Sequence, residues 1–310
     1  MNRLSDLNIS NQNLVIRVDM NVPIEDGVVT DNTRILACMP TIKFALKSNA
    51  KILLVTHLGR PKEGTFDKNF SLKPVATEVS KILDHEVDLI DNLDSTKIFN
   101  GSSDIQILEN IRFFEGEKSN CNKLGKSLSS LGDIYVFDAF GTSHREQSST
   151  HSAIVNSNLS CAGLLLEKEI DSLTKALNES QNPYTAIIGG AKVSTKLELI
   201  KNINSKADHI IVGGGIANTF LKAAGHEIGI SLCEESMVGI AKELLNDGKI
   251  ILPDTVVTSK TFEGEDIKEK HISEVKKNEM ILDQFLNDEI DNAISSSNTI
   301  LWNGPLGVFE

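Results

Sequence analysis

Nowhere in its 310 residues does the chain carry a run of 18 apolar residues, which excludes a membrane-spanning helix of ordinary length. Its first residues, MNRLSDLNIS, hold no apolar signal core, so the sequence reads as that of a soluble cytoplasmic protein. Cysteine is sparse. Cys38, Cys121, Cys161 and Cys233 stand far apart with no CxxC or Cys/His spacing, which argues against a zinc site or a disulfide framework and predicts reduced, buried thiols. A basic surplus is missing as well: the formal net charge is -12. That disfavours nucleic acid or an anionic membrane as partner, since both need a basic footprint. Two nucleotide fingerprints are also absent, the G-x-x-x-x-G-K-[ST] loop and the G-x-G-x-x-G turn, and lack of the second disfavours a nicotinamide-dependent dehydrogenase.

What is present is ample apolar material. With 40% hydrophobic residues, the chain is long enough for two packed domains. Short runs rich in β-branched residues recur between helical patterns: NLVIRVD, AKILLVTHLG, DIQILEN, DIYVFDAFG, YTAIIGG, DHIIVGGG, KIILPDTVV and NTILWNGP. These runs are apolar throughout instead of alternating, as strands buried on both faces of a parallel sheet must be. The reading is α/β, with two doubly wound, Rossmann-like domains. In GLLLEKEIDSLTKALNES, Leu165, Ile170, Leu173 and Leu177 fall near helical spacing and Pro183 follows, so a long helix joins the two. The expected division is 1–164, a helix and linker over 165–182, and 183–310.

Charge is distributed unevenly. Residues 1–160 hold 17 Lys+Arg against 20 Asp+Glu, residues 161–310 hold 14 against 23, and all six arginines lie at or before Arg145. Arg17, Arg60, Arg112 and Arg145 each fall within or just beyond a predicted strand end, and Arg34 opens a predicted helix. In an open α/β sheet the strand carboxyl ends are where ligands sit. Guanidinium forks bind phosphate or carboxylate oxygens bidentately, so a small polyanion is the natural ligand. Asp19 and Asn21 lie close by in sequence. His57 is either a core histidine satisfied by a carbonyl or a member of the site, and Asp138 either a helix cap or a site residue.

The second half carries a different anion motif. AIIGGAKVSTKLELI reads as strand, glycine turn, lysine and a helix opened by a Thr195-x-x-Glu198 capping box. A helix N-terminus with Lys192 and Lys196 beside it suits phosphate. A second strand ends in Gly213-Gly214-Gly215, where a flat base could approach the backbone. Either glycine cluster alone is equally a tight strand-to-helix turn. Together with the arginine site they suggest two phosphorylated ligands facing each other across a cleft, the layout of phosphoryl transfer.

RVDMNVP, DNTRI, HLGRP, SLKPVA, LENIRF, DAFGTSHR, GGAKVSTK, GGGIANTFL and WNGPLGVFE, in that order over residues 17–310, closely resemble the phosphoglycerate kinase family. The resemblance implies reversible transfer of the acyl phosphate of 1,3-bisphosphoglycerate to Mg-ADP, giving 3-phosphoglycerate and ATP in glycolysis, by a monomer. It assigns Asp19, Asn21, Arg34, His57, Arg60, Arg112 and Arg145 to the glycerate substrate, with Arg34 and Lys192 acting on the phosphoryl group in flight. Gly190, Lys192, Lys196, Gly213, Gly214, Leu232, Asn303 and Glu310 fall to the nucleotide, Asn303 facing phosphates and Glu310 the ribose. Arg17 resembles a structural support of the basic patch. Three departures stand out: Thr195 where many members carry an acid, QFLNDEID in place of a longer turn after MILD, and a family pattern that continues past WNGP to a Gly-Gly-Gly-Asp loop with a magnesium aspartate. On that pattern no metal ligand is expected within residues 1–310 and the second domain is truncated. The alternative expectation is a catalytically silent phosphoglycerate-binding module.

Overall fold

The computed structural model describes residues 1–94 and 96–308. Two compact units emerge, Met1–Asp171 and the chain from Ser172 onward. The first holds strands β1 (Asn13–Val18), β2 (Ile24–Glu25), β3 (Val28–Val29), β4 (Lys51–Val55), β5 (Val87–Ile90), β6 (Ile105–Leu108), β7 (Ile134–Asp138) and β8 (Ser160–Ala162). Its helices are α1 (Thr33–Lys47), α2 (Lys73–Leu83), α3 (Asn122–Ser129), α4 (Ala153–Asn156) and the first half of α5 (Leu164–Asn178). Six strands form one parallel sheet in the order β5-β6-β4-β1-β7-β8.

The unbroken apolar runs are explained by period two acting on two cores. Leu14, Ile16, Ile52, Leu54, Ile105, Ile107 and Val136 pack into one buried cluster, while the intervening Val15, Leu53, Val55, Leu108 and Tyr135 pack into another. Successive side chains point to opposite faces and both faces are covered, so the strands are apolar apart from a few buried polar residues such as Arg17, Gln106 and Asp138. Between β2 and β3, Asp26 and Gly27 both have positive φ, 49° and 75°, the signature of a two-residue type I′ hairpin turn.

Helix α5 is the element on which the division falls, and its start is held by the first unit. Leu164 donates its N–H to Thr41 Oγ1 at 3.0 Å and Leu166 to Asp138 Oδ1 at 3.0 Å. These bonds satisfy backbone donors that an unsupported first turn leaves open. Asp138 is therefore a helix cap, at the buried end of β7. A Cβ on Gly163 would lie 2.4 Å from its carboxyl, so the approach needs glycine.

The second unit holds β9 (Tyr184–Ile188), β10 (His209–Val212), β11 (Ile250–Ile251), β12 (Thr255–Ser259), β13 (Lys268–His271), β14 (Met280–Gln284) and β15 (Thr299–Asn303). Its further helices are α6 (Leu197–Asn204), α7 (Gly214–Ala223), α8 (Val238–Leu245) and α9 (Asp288–Ser296). The parallel order is β11-β10-β9-β15, and β13-β12-β14 form a separate antiparallel sheet. Three expectations are corrected here. KIILPDTVV is not one strand: Leu252, Pro253 and Asp254 separate β11 from β12, and the chain crosses to the antiparallel sheet where proline supplies no ladder donor. The strand before WNGP is not buried on both faces, because β15 is an edge among the described residues and leaves Ile300 46% and Trp302 63% exposed. Nor are all thiols buried, since Cys121 and Cys233 are half-exposed, although all four are free. Among the described residues no helix is long and apolar enough to cross a membrane.

Replacing Asp138 by alanine should destabilise the first unit by about 1–2 kcal/mol through loss of the cap. Asp138→Asn, which keeps an acceptor and sheds a buried charge, should cost less. Urea midpoints for the two variants check the order, and an asparagine variant as weak as alanine would contradict the cap.

Candidate active site

The carboxyl ends of β1, β4, β6 and β7 carry the arginine site. Arg17, the next-to-last residue of β1, is 1% exposed. It donates Nε–H to Ser149 Oγ at 2.9 Å, Nη1–H to the Val18 carbonyl, and Nη2–H to His57 Nδ1 at 3.3 Å. Asp19 and Asn21 follow on the loop after β1. Asp19 Oδ2 accepts from Arg34 Nη1 at 3.0 Å, and Asn21 Oδ1 accepts from the Gly59 N–H at 2.8 Å. Arg34 projects from the first turn of α1 and stays largely exposed. Arg112, in the turn after β6, is buried and donates to the Gly59 carbonyl. Its Nε–H finds no acceptor among the described residues, so donor capacity is held in reserve inside the cluster.

Arg60 is exposed just beyond Gly59 and Arg145 is half-buried. Both lie within electrostatic reach, for Arg145 acts on His57 and Arg112, and Arg60 on Arg112. Of the sequence-derived substrate residues, Asp19, Asn21, Arg34, His57, Arg60, Arg112 and Arg145 all belong to this one cluster. His57 is not a core histidine satisfied by a carbonyl. Burial, then the charges of Arg17, Arg112, Arg145 and Arg34, push its pKa down to about 2, so the imidazole is neutral. Arg112 is likewise lowered from its ordinary value, by burial and then by Arg145 and Arg17.

Two buried residues of this region carried no sequence signal of their own. Glu117 Oε1 accepts from Ser149 Oγ at 2.6 Å and Oε2 from the Ser149 N–H at 2.9 Å. Burial raises the Glu117 pKa, opposed by the Ser149 hydrogen bonds and the charges of Arg17 and Arg112. Only proximity in sequence to Arg112 and Arg145 hints at either residue.

In the second unit three strand ends close on one another through backbone. Gly189 N–H donates to the Asn303 carbonyl at 2.9 Å, Gly214 N–H to Leu306 at 2.6 Å, and Ile216 N–H to Gly190 at 3.0 Å. A Cβ on Gly189 would sit 1.9 Å from the Pro305 carbonyl oxygen, which no side chain can accommodate. Gly190, Gly213 and Gly214 thus gather at the start of α7, and Leu232, 56% exposed, lies against Gly215 there. Lys196 Nζ donates to Asn303 Oδ1. Lys192 stands exposed on the loop after Gly190, its side chain in none of these contacts. Glu310 lies outside the described residues. The expected Thr195/Glu198 capping box does not form: Thr195 Oγ1 donates to the Lys192 carbonyl at 2.8 Å and α6 begins only at Leu197. The hydroxyl closes the lysine loop instead. Glu234, which sequence did not single out, holds that loop by accepting from Ser194 N–H at 2.8 Å and from its hydroxyl at 2.5 Å.

An arginine cluster on one parallel α/β unit and a glycine and lysine loop on the other are each suited to phosphate, the chemistry of the kinase class of enzyme. The phosphoglycerate kinase family model matches residues 4–310. The phosphoglycerate kinase of Vibrio campbellii is 44% identical over 312 residues, covering 99% of this chain and 80% of that protein. Among solved structures, the phosphoglycerate kinase of Coxiella burnetii matches with a TM-score of 0.81 at 41% identity, over 99% of this chain and 80% of that one. That of Pyrococcus horikoshii OT3 matches with a TM-score of 0.82 at 29% identity, over 100% and 82%. The chain belongs to the phosphoglycerate kinase family and is accordingly a phosphotransferase.

Neutral His57 has a thermodynamic signature. Unfolded, it takes up a proton below its ordinary pKa of 6.5; folded, it stays neutral down to about 2. Between those values the unfolded state binds the extra proton, so stability falls as pH is lowered, by about 1.4 kcal/mol per pH unit from this residue. Urea unfolding between about pH 7 and 5 should therefore be steeper in pH for the parent than for His57→Gln, and equal slopes would show a charged His57.

Proposed function

We propose that the chain transfers the acyl phosphate of 1,3-bisphosphoglycerate to Mg-ADP, reversibly, as a cytoplasmic monomer serving glycolysis. The observation that carries the glycerate assignment is the buried Arg112 guanidinium with an unmet donor, set among like charges that a bound polyanion would offset. On this reading Asp19, Asn21, Arg34, His57, Arg60, Arg112 and Arg145 hold the phosphoglycerate. Gly190, Lys192, Lys196, Gly213, Gly214, Leu232 and Asn303 hold the nucleotide, and Glu310 joins them on its sequence position alone.

The chemistry asks little of the protein beyond placement and charge. An ADP phosphate oxygen attacks the acyl phosphorus, the bond from phosphorus to the carboxyl oxygen breaks, and its electron pair leaves with the 3-phosphoglycerate carboxylate. Charge spreads over the equatorial oxygens in flight, and cations supplied in place stabilise it without reorganisation. Arg34 is suited to this role because it is exposed and its guanidinium is held by Asp19. Lys192 supplies the second cation. His57, being neutral, adds a hydrogen bond without adding to the crowd of charge. Mg²⁺ would come with the nucleotide substrate and would offset part of the phosphate charge.

Arg34→Ala and Lys192→Ala should each lower kcat about a thousandfold while changing KM much less, because they act on charge that exists mainly in the transition state. Arg112→Ala should instead raise KM for phosphoglycerate. A coupled assay of ATP formation reads all three, and an Arg34→Ala variant with unchanged kcat would overturn the assignment.

A further inference from the structure

We infer that Glu117 and Ser149 are positioning residues for the phosphoglycerate half-site: acting through Arg17, they hold His57 in the tautomer that carries its proton on Nε2. The functional consequence rests on the substrate reading above; the tautomer does not.

Four buried side chains from four segments form one directed chain. Glu117, Ser149, Arg17 and His57 are 1%, 0%, 1% and 4% exposed. The Glu117 carboxylate accepts the Ser149 hydroxyl proton at 2.6 Å. That leaves the Ser149 oxygen free to accept from Arg17 Nε–H at 2.9 Å. Arg17 is pinned on a third side by the Val18 carbonyl, so its remaining amino group is aimed at His57 Nδ1, 3.3 Å away. A guanidinium has donors only. His57 Nδ1 must therefore accept, and a neutral imidazole that accepts at Nδ1 bears its hydrogen on Nε2. The donor left over is the one a glycerate oxygen could use.

A competitor stands ready. Asp19 Oδ1 lies 3.9 Å from the same Nδ1, too far for a hydrogen bond as it stands, yet a shift of about 1 Å would let it accept from an Nδ1–H if Arg17 withdrew. The carboxylate would then select the opposite tautomer. What prevents this is the anchoring of Arg17, and Glu117 supplies the buried negative charge beside it. A buried guanidinium deprived of that partner is expensive to keep in place. Glu117 and Ser149 touch no reacting atom on this account; they decide which proton His57 presents.

The experiment is long-range ¹⁵N–¹H NMR of the histidine rings in the 310-residue chain, with His57 assigned by its loss in His57→Gln. The expected result is one neutral species protonated at Nε2. Ser149→Ala breaks the link, and Glu117→Gln keeps an acceptor but removes the charge; each should populate the Nδ1–H form. In the same variants KM for 3-phosphoglycerate should rise about tenfold with KM for ATP unchanged, as expected for one lost hydrogen bond to a charged ligand. A parent His57 protonated at Nδ1, or variants that keep the Nε2–H form and the parental KM, would overturn the inference. If Ser149→Ala fails to fold, Glu117→Gln decides alone by the same two readouts. A tautomer shift in a protein that shows no response to phosphoglycerate would support the positioning role and reject the substrate.

Discussion

The first unit is organised around an electrostatic difficulty: several guanidinium groups must be kept together at one end of a sheet, two of them out of water. Arg17 and Arg112 are 1% and 5% exposed, and each raises the cost of charge on its neighbours. Burial alone would expel them. They stay because the surrounding groups are chosen to accept. Ser149, the Val18 and Gly59 carbonyls, Glu117 and Asp19 each take a donor or offset a charge. His57 is the neutral member that can sit among cations, kept neutral by burial first and then by the arginine charges around it. Strand ends, loop lengths and buried polar residues of this unit make sense as supports for that concentration of positive charge.

The second unit solves a different problem by a different means. On the proposed reading this unit takes the nucleotide, whose phosphates and flat base call for close backbone approach more than for a dense field. The β9, β10 and β15 ends accordingly meet through Gly189, Gly213 and Gly304, where a Cβ would strike backbone or Leu306. The price is an arrangement that tolerates no side chain at three positions. Its cations, Lys192 and Lys196, carry compact charges on long stems, and Lys196 is tied to Asn303, whereas the planar forks of arginine are fit to define a fixed anion.

How much of this was legible in the sequence follows from which physical signals are local. The apolar runs gave the parallel strands because burial on both faces writes itself into every position. Arginines at strand ends gave the basic site because rare, strongly directional residues in repeated context are visible without coordinates. Glu117 and Ser149 were not visible, since an acid and a serine in polar loops look like any solvated surface until folding buries them. KIILPDTVV was misread because apolarity alone does not say which sheet a strand joins; Pro253 was the clue. Thr195 was misread as a cap because the Thr-x-x-Glu spacing fits equally well a loop closed by its own hydroxyl.

A chain of net charge -12 that handles polyanions cannot draw them in by its overall field, which opposes approach. Capture must come from the local cluster once a ligand is within about 10 Å, the distance over which salt screens exposed charges. That shifts the burden from steering to geometry. It explains why Arg17 and Arg112 are buried and Arg34 is braced by Asp19: a partly desolvated guanidinium held in place interacts strongly at contact and is little screened by salt. The acidic background then becomes useful, because it discourages anions that cannot make the full set of contacts. Selectivity for a small, multiply charged substrate follows from a basic site that is local, rigid and internally neutralised only as far as holding it together requires.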